Sequence, residues 1–223
     1  MRKKMREKKQ TSETFILSSI LALSGGFQDA YTYNLRDSVF SNAQTGNVVL
    51  MTQHFMLGEW STAFHYLLPL AAFILGVMAA ETISDRYRES RRIHWRQIVL
   101  IIEILILFIA GFMPQSLNSL STMLISFSCA MQVQSFRKVN GFAYASTMCI
   151  GNMRSGTDNL SKFIRTRDKD CLEKAVYYFG IIFIFAIGAG LGGLISLHIG
   201  FRAIWISCLL LIIGCVMMMK EKI

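Results

Sequence analysis

Six apolar runs divide the chain: Phe15–Asn34, Ser61–Ile83, Gln97–Met113, Ser119–Phe136, Ala175–Leu197 and Ala203–Met219. Each approaches the roughly 20 residues that a helix needs to cross a bilayer, so six membrane-spanning helices are expected. Two further segments, Ser38–Leu57 and Phe142–Phe163, are long enough to cross but too polar to face lipid. They are expected to be broken or re-entrant, because irregular backbone at membrane depth is tolerated only inside protein or along a watered cavity.

The positions of Lys and Arg set the orientation. If neither polar segment crosses, the N-terminal tail, the Asp85–Arg96 loop, the Arg137–Lys174 region and the C-terminal tail share one side and hold 21 of the 23 basic residues. Only Arg36 and Arg202 fall opposite. If both crossed, the five arginines from Arg86 to Arg96 would face outward, against the positive-inside tendency. The expectation is a multi-pass protein of the inner membrane with both termini cytoplasmic. Its basic start, "MRKKMREKKQ", reads as topology anchoring rather than a nucleic-acid arm, so no nucleic acid is expected as a partner.

A shift of 105 positions carries the first half onto the second: Ser41 onto Ser146, Gly46 onto Gly151 and Asn47 onto Asn152. Repeat 1 spans about 14–113 and repeat 2 about 119–219, after a basic cytoplasmic tail at 1–13. Each half orders itself as span, broken segment, span, span. Three spans is an odd number, so consecutive halves enter the membrane from opposite faces as an inverted pair, with the two broken segments meeting near the midplane. Gly46 and Gly151 are expected to provide a tight turn or a close approach. Asn47 and Asn152 are expected to cap the following half-helix and still offer amide donors and acceptors.

Composition agrees with the apolar pattern. Hydrophobic residues make up 53% of the 223, charged residues 17%, and the mean hydropathy is +0.43, outside the range of soluble domains. At this length a single membrane domain leaves no room for a soluble one. The five cysteines and four histidines show no metal-ligand spacing, and no catalytic or phosphate-binding motif is present. No metal, cofactor or catalytic residue is therefore expected, and an enzyme is a poor fit. Eight aromatics near the run ends, Tyr31, Tyr66, Trp95, Tyr178 and Trp205 among them, fit an interfacial belt. The run "AIGAGLGG", Ala186–Gly193, places small residues four apart for close helix packing, and also suits a homo-oligomer contact.

Ionisable residues inside spans are costly and therefore count as functional candidates. Asp29 in the first span and Glu103 in the third are the candidates for proton or ion coupling. Arg154 and Asp158 follow the second Gly-Asn pair, and either serve a solute or pair with other charges to hold the halves together. Arg36 and Glu81 lie near run ends, within reach of the interface.

The stretches "GGFQDAYTYNLRDSVFSNAQTGNVVLM" and "NGFAYASTMCIGNMRSG" resemble the YoaK-like family of bacterial inner-membrane proteins, a family with a domain of unknown function. The likeness runs from Phe15 to about Met219 and is carried by Gly26–Ala30 and Thr45–Asn47. In the second Gly-Asn copy Ile150 stands where Thr45 stands in the first. The resemblance implies a multispanning bacterial membrane protein and no particular substrate.

The resulting expectation is an all-α membrane protein that acts as a transporter or channel for a small solute or ion. Its substrate site would comprise Asp29, Asn42, Gln44, Thr45, Gly46, Asn47, Thr147, Gly151, Asn152, Arg154 and Asp158. The alternative is a non-transporting scaffold or sensor whose basic loops meet anionic lipid or a partner.

Overall fold

The computed structural model describes residues 11–88 and 94–219. The first ten residues of the basic tail, part of the arginine-rich loop and the last four residues lie outside that range. The described chain is all-α apart from one small hairpin. Helices form over all six apolar runs: α1 (Phe15–Leu35), α3 (Trp60–Tyr87), α4 (Trp95–Ala110), α5 (Asn118–Ser135), α7 (Lys169–Ile199) and α8 (Trp205–Met219). The two polar segments contribute α2 (Gln44–Met56) and α6 (Cys149–Thr166). Trp60–Tyr87 and the run Lys169–Met219, which joins α7 to α8 through a 3-10 turn, are long and apolar enough to cross a membrane.

Local chemistry explains several boundaries. Thr14 caps α1 by accepting from the Leu17 amide, and His94 with Gln97 forms a capping box at the start of α4. After α5 the chain makes a two-stranded antiparallel hairpin, β1 (Lys138–Val139) and β2 (Phe142–Ala143). Its turn residues Asn140 and Gly141 have φ of 49° and 85°, the positive values that a two-residue Asn-Gly turn requires.

The helices pack in matching pairs. α1 lies along α7 and α3 along α5; α2 lies on α3 and α6 on α7; α4 meets α5 and α8 meets α1, while α4 and α8 touch each other. Small residues allow the close approach of α1 and α7. A Cβ added at Gly26 would stand 2.1 Å from the Phe185 carbonyl oxygen, and one at Gly188 2.1 Å from that of Leu23. Gly188 and Gly192 of the small-residue run are thus used within the chain, against α1.

Two sets of helix ends result. Arg36, Asp37, His65, Ala110–Ser119 and Phe201 gather at one end through hydrogen bonds and ion pairs. Ser12, Glu13, Glu81, Arg96 and Ser135–Asn140 gather at the other.

Arg36 does not reach outward as its place near a run end suggested: it is fully buried. Its guanidinium donates to the carbonyls of Ala110 (2.9 Å) and Met113 (3.1 Å), to Asn118 Oδ1 (2.8 Å) and to the Tyr31 hydroxyl (3.0 Å), and lies 4.0 Å over the Phe201 ring. It satisfies the orphan carbonyls at the C-terminal end of α4 and places a cation at the negative end of that helix. The interfacial belt also needs correction, because Tyr31, Tyr66 and Tyr178 are buried. Tyr178 donates to the Ala143 carbonyl and so ties the hairpin to α7.

Candidate functional site

Neither Gly-Asn pair is itself the break. Gly46 and Gly151 lie in the first turns of α2 and α6 without positive φ, and the irregular backbone precedes them. The N-caps are Ala43 and Met148, and neither makes a side-chain capping bond. The asparagines reach backward instead. Asn47 Nδ2 donates to the Phe40 carbonyl (2.7 Å) while its Oδ1 accepts from the Phe40 amide (3.2 Å). Asn152 does the same to Ala145, at 2.6 and 3.3 Å. Each amide thereby clamps the residue seven positions upstream and holds the non-helical segment against its own helix. Both are buried, and their bonding capacity is directed into the fold rather than toward a solute.

Asp29 organises the first segment from α1. Its Oδ1 accepts from the Ser41 hydroxyl (3.1 Å) and the Asn42 amide (2.7 Å). Asn42 Nδ2 in turn donates to the Gly25 carbonyl (3.0 Å). Gln44 Nε2 donates to the Ser41 carbonyl (2.8 Å) and to the Ser126 hydroxyl of α5 (2.7 Å). A carboxylate beside the start of α2 is favourably placed for the positive end of that helix. Among the described residues no Lys, Arg or His pairs with Asp29.

The second segment packs against the same helix. The Thr147 methyl lies over Gly25, where an added Cβ would come within 2.4 Å of it. Residues 42–45 and 147–151 then face one another across a cavity of about 890 Å3, closed behind by α1 and flanked by α3 and α7. Of the expected site residues, Asp29, Asn42, Gln44, Thr45, Thr147 and Gly151 line it. Gly46, Asn47 and Asn152 are not among its lining residues.

Arg154 and Asp158 are not brought to the cavity. Both are exposed on α6, and Asp158 pairs with Lys162 at 2.8 Å, one turn along. Most of the wall was not foreseen: Tyr33, Phe40, Phe73, Ile74 and Phe185 give it an aromatic and aliphatic character.

Glu103 lies apart from the cavity, fully buried on α4. Gln28 Nε2 donates to its Oε1 (3.3 Å) and to the Ser24 hydroxyl (3.0 Å). In the amide orientation that satisfies both of its ends, Gln132 donates to Glu103 (3.1 Å) and accepts from the Ser146 hydroxyl (3.2 Å). Glu103 is thus the hub of a polar core joining α1, α4, α5 and the second irregular segment. No positive charge offsets it among the described residues.

An all-α bundle with bilayer-length apolar helices, two polar helices starting at a cavity among them and buried unpaired acids is the build of an integral membrane protein. The family profile DUF1275, described as a protein of unknown function, matches residues 17–217, and the chain belongs to that family. It is 26% identical over 219 residues to the UPF0700 transmembrane protein YoaK of Bacillus subtilis (strain 168), an alignment covering 93% of this chain and 94% of the relative. No solved structure matches the chain.

Proposed function

We propose that the chain is a small transporter or channel of the bacterial inner membrane, built from six spans in two inverted three-span halves, with both termini cytoplasmic. The observation that carries the proposal is the cavity between the starts of α2 and α6, one from each half, with Asp29 in its wall. Helices that begin or break at a central cavity are how inverted-repeat carriers build a solute site.

Two features support the inverted repeat. The helix contacts occur in exchanged pairs, α1 on α7 and α5 on α3, as a two-fold axis between halves requires. The asparagine clamps recur 105 positions apart, at both the asparagine and the residue it holds. The gathering of residues 36, 110–119 and 201 at one end, and of 12, 96 and 135–140 at the other, suits six crossings. In this proposal Asp29 and Glu103 are the groups through which passage couples to protons or ions, and the protein acts without catalysis.

The test is solute flux into proteoliposomes, across a panel of small ions and organic solutes. Flux should fall at least about tenfold in Gly151→Phe. That substitution adds a ring at a residue of the cavity lining where an added Cβ meets nothing within 4 Å. An absence of flux for every solute, from protein that is folded and inserted, would replace transport with a scaffold or sensor role.

A further inference from the structure

The cavity has a chemical bias that narrows what it holds. Among its lining residues there is one carboxylate, Asp29, and no Lys, Arg or His. Four aromatic rings, Tyr33, Phe40, Phe73 and Phe185, supply much of the remaining wall. Ring faces attract cations and repel anions, most strongly where water is excluded. The start of α6 also faces the cavity and carries about half a positive charge as a helix end. The full negative charge of an ionised Asp29 outweighs it, and the same carboxylate, bonded to the Asn42 amide, lies beside the corresponding start of α2.

Size and access add to this. At about 890 Å3 the cavity falls in the range that encloses a drug-sized organic molecule, far larger than a dehydrated inorganic ion needs. A metal ion is further disfavoured because no group of three or more His, Cys, Asp or Glu side chains is assembled among the described residues. Ile74 and Ile150 line the cavity and are still 62% and 78% exposed. One side therefore opens between helices toward the surroundings of the bundle, where lipid lies if the bundle spans a bilayer.

We propose that the cavity binds a lipophilic organic cation, its charge held by Asp29 and the aromatic faces and its apolar body by the aliphatic wall. The inference deepens the transporter proposal and rests on it for its physiological meaning. The binding itself is measurable without flux.

The experiment is equilibrium binding of labelled tetraphenylphosphonium to purified protein in detergent, with tetraphenylborate as a probe of matched shape and opposite charge. Wild-type protein should bind the cation at least about tenfold more tightly than the anion. Asp29→Asn should erase that preference, and Gly151→Phe should remove cation binding by filling the space, with the melting temperature of each variant reporting that it is folded. Equal binding of the two probes, or cation binding unchanged in Asp29→Asn, overturns the proposal. If the Asn variant is unstable, Gly151→Phe decides alone: retained cation binding there also overturns it. Binding without flux would leave this inference standing and end the transport proposal. Flux of another solute with no cation binding would do the reverse.

Discussion

Asn152 grips Ala145 by both ends of its amide, donating at 2.6 Å and accepting at 3.3 Å. Asn47 grips Phe40 in the same way, each asparagine and each partner lying 105 positions from its counterpart. Sparse identity between the halves conceals this equivalence, and one shared piece of geometry exposes it.

The clamps should carry stability rather than solute affinity. Replacing Asn152 or Asn47 with Leu leaves a half-buried backbone N–H and carbonyl without their partner, at up to about 1–3 kcal/mol each. Both variants should melt well below wild type in detergent, and by similar amounts. Asn→Asp, which keeps the acceptor and loses the donor, should fall between. A Leu variant with unchanged melting would show that water or a rearranged segment replaces the clamp.

Arg36 should tolerate no substitution, including the one that preserves its charge. Lysine cannot reproduce the fork that reaches Ala110, Met113, Asn118 and Tyr31 together. Arg36→Lys should cost about 2–4 kcal/mol, and Arg36→Met at least as much, because helix-end carbonyls lose their donors. Scanning fluorimetry of detergent-purified protein reads this directly. High salt should change the wild-type value little, since the guanidinium is shielded from solvent.

The α1–α7 contact should divide the glycines of α7 into two classes. Gly188→Ala, like Gly26→Ala in α1, drives a methyl into a backbone carbonyl, so the helices must separate, at a cost of about 1–3 kcal/mol or more. At Gly190 an added Cβ meets nothing within 4 Å, and alanine there should be neutral or slightly stabilising through its helix propensity. Melting and monodispersity on gel filtration compare the three. Equal behaviour at positions 188 and 190 would argue against the close packing of these helices.

The proposed topology predicts labelling sides. In a cysteine-free background, single cysteines at Gly58 and Gly200, in exposed or half-exposed turns, should react with an impermeant maleimide from the periplasmic face. Cysteines at Gly141 and Lys169 should react only from the cytoplasmic face. Reaction of the Gly58 position from the cytoplasm would remove the inverted arrangement.

Some of the candidate site was legible in the sequence, and the limits have identifiable causes. Asp29, Asn42, Gln44, Thr45, Thr147 and Gly151 stood out because polarity inside an apolar chain is costly, and they line the cavity. Arg154 and Asp158 stood out for the same reason yet lie exposed on α6, since the cost argument does not say which face of a short helix is solvated. Phe40, Phe73 and Phe185 escaped notice because a phenylalanine against a cavity and one against lipid look alike along the chain. The Asn140–Gly141 turn, just ahead of the second polar segment, is legible from its dipeptide alone.

By itself the sequence determined that the chain is helical, where its apolar helices begin and end to within about six residues, and that two polar segments occupy equivalent places in its halves. Those properties follow from local hydrophobicity and from spacing, which every stretch of chain carries independently of the rest. Only the tertiary structure decided that Asn47 and Asn152 hold backbone instead of facing solute, that Arg36 is interior, and that residues 42–45 and 147–151 meet across one cavity. Arg36 and the cavity depend on groups that other helices bring within hydrogen-bond or packing distance, for Arg36 from residues 74 and 82 positions along the chain, whereas each asparagine clamp depends on how its irregular segment folds back over seven residues.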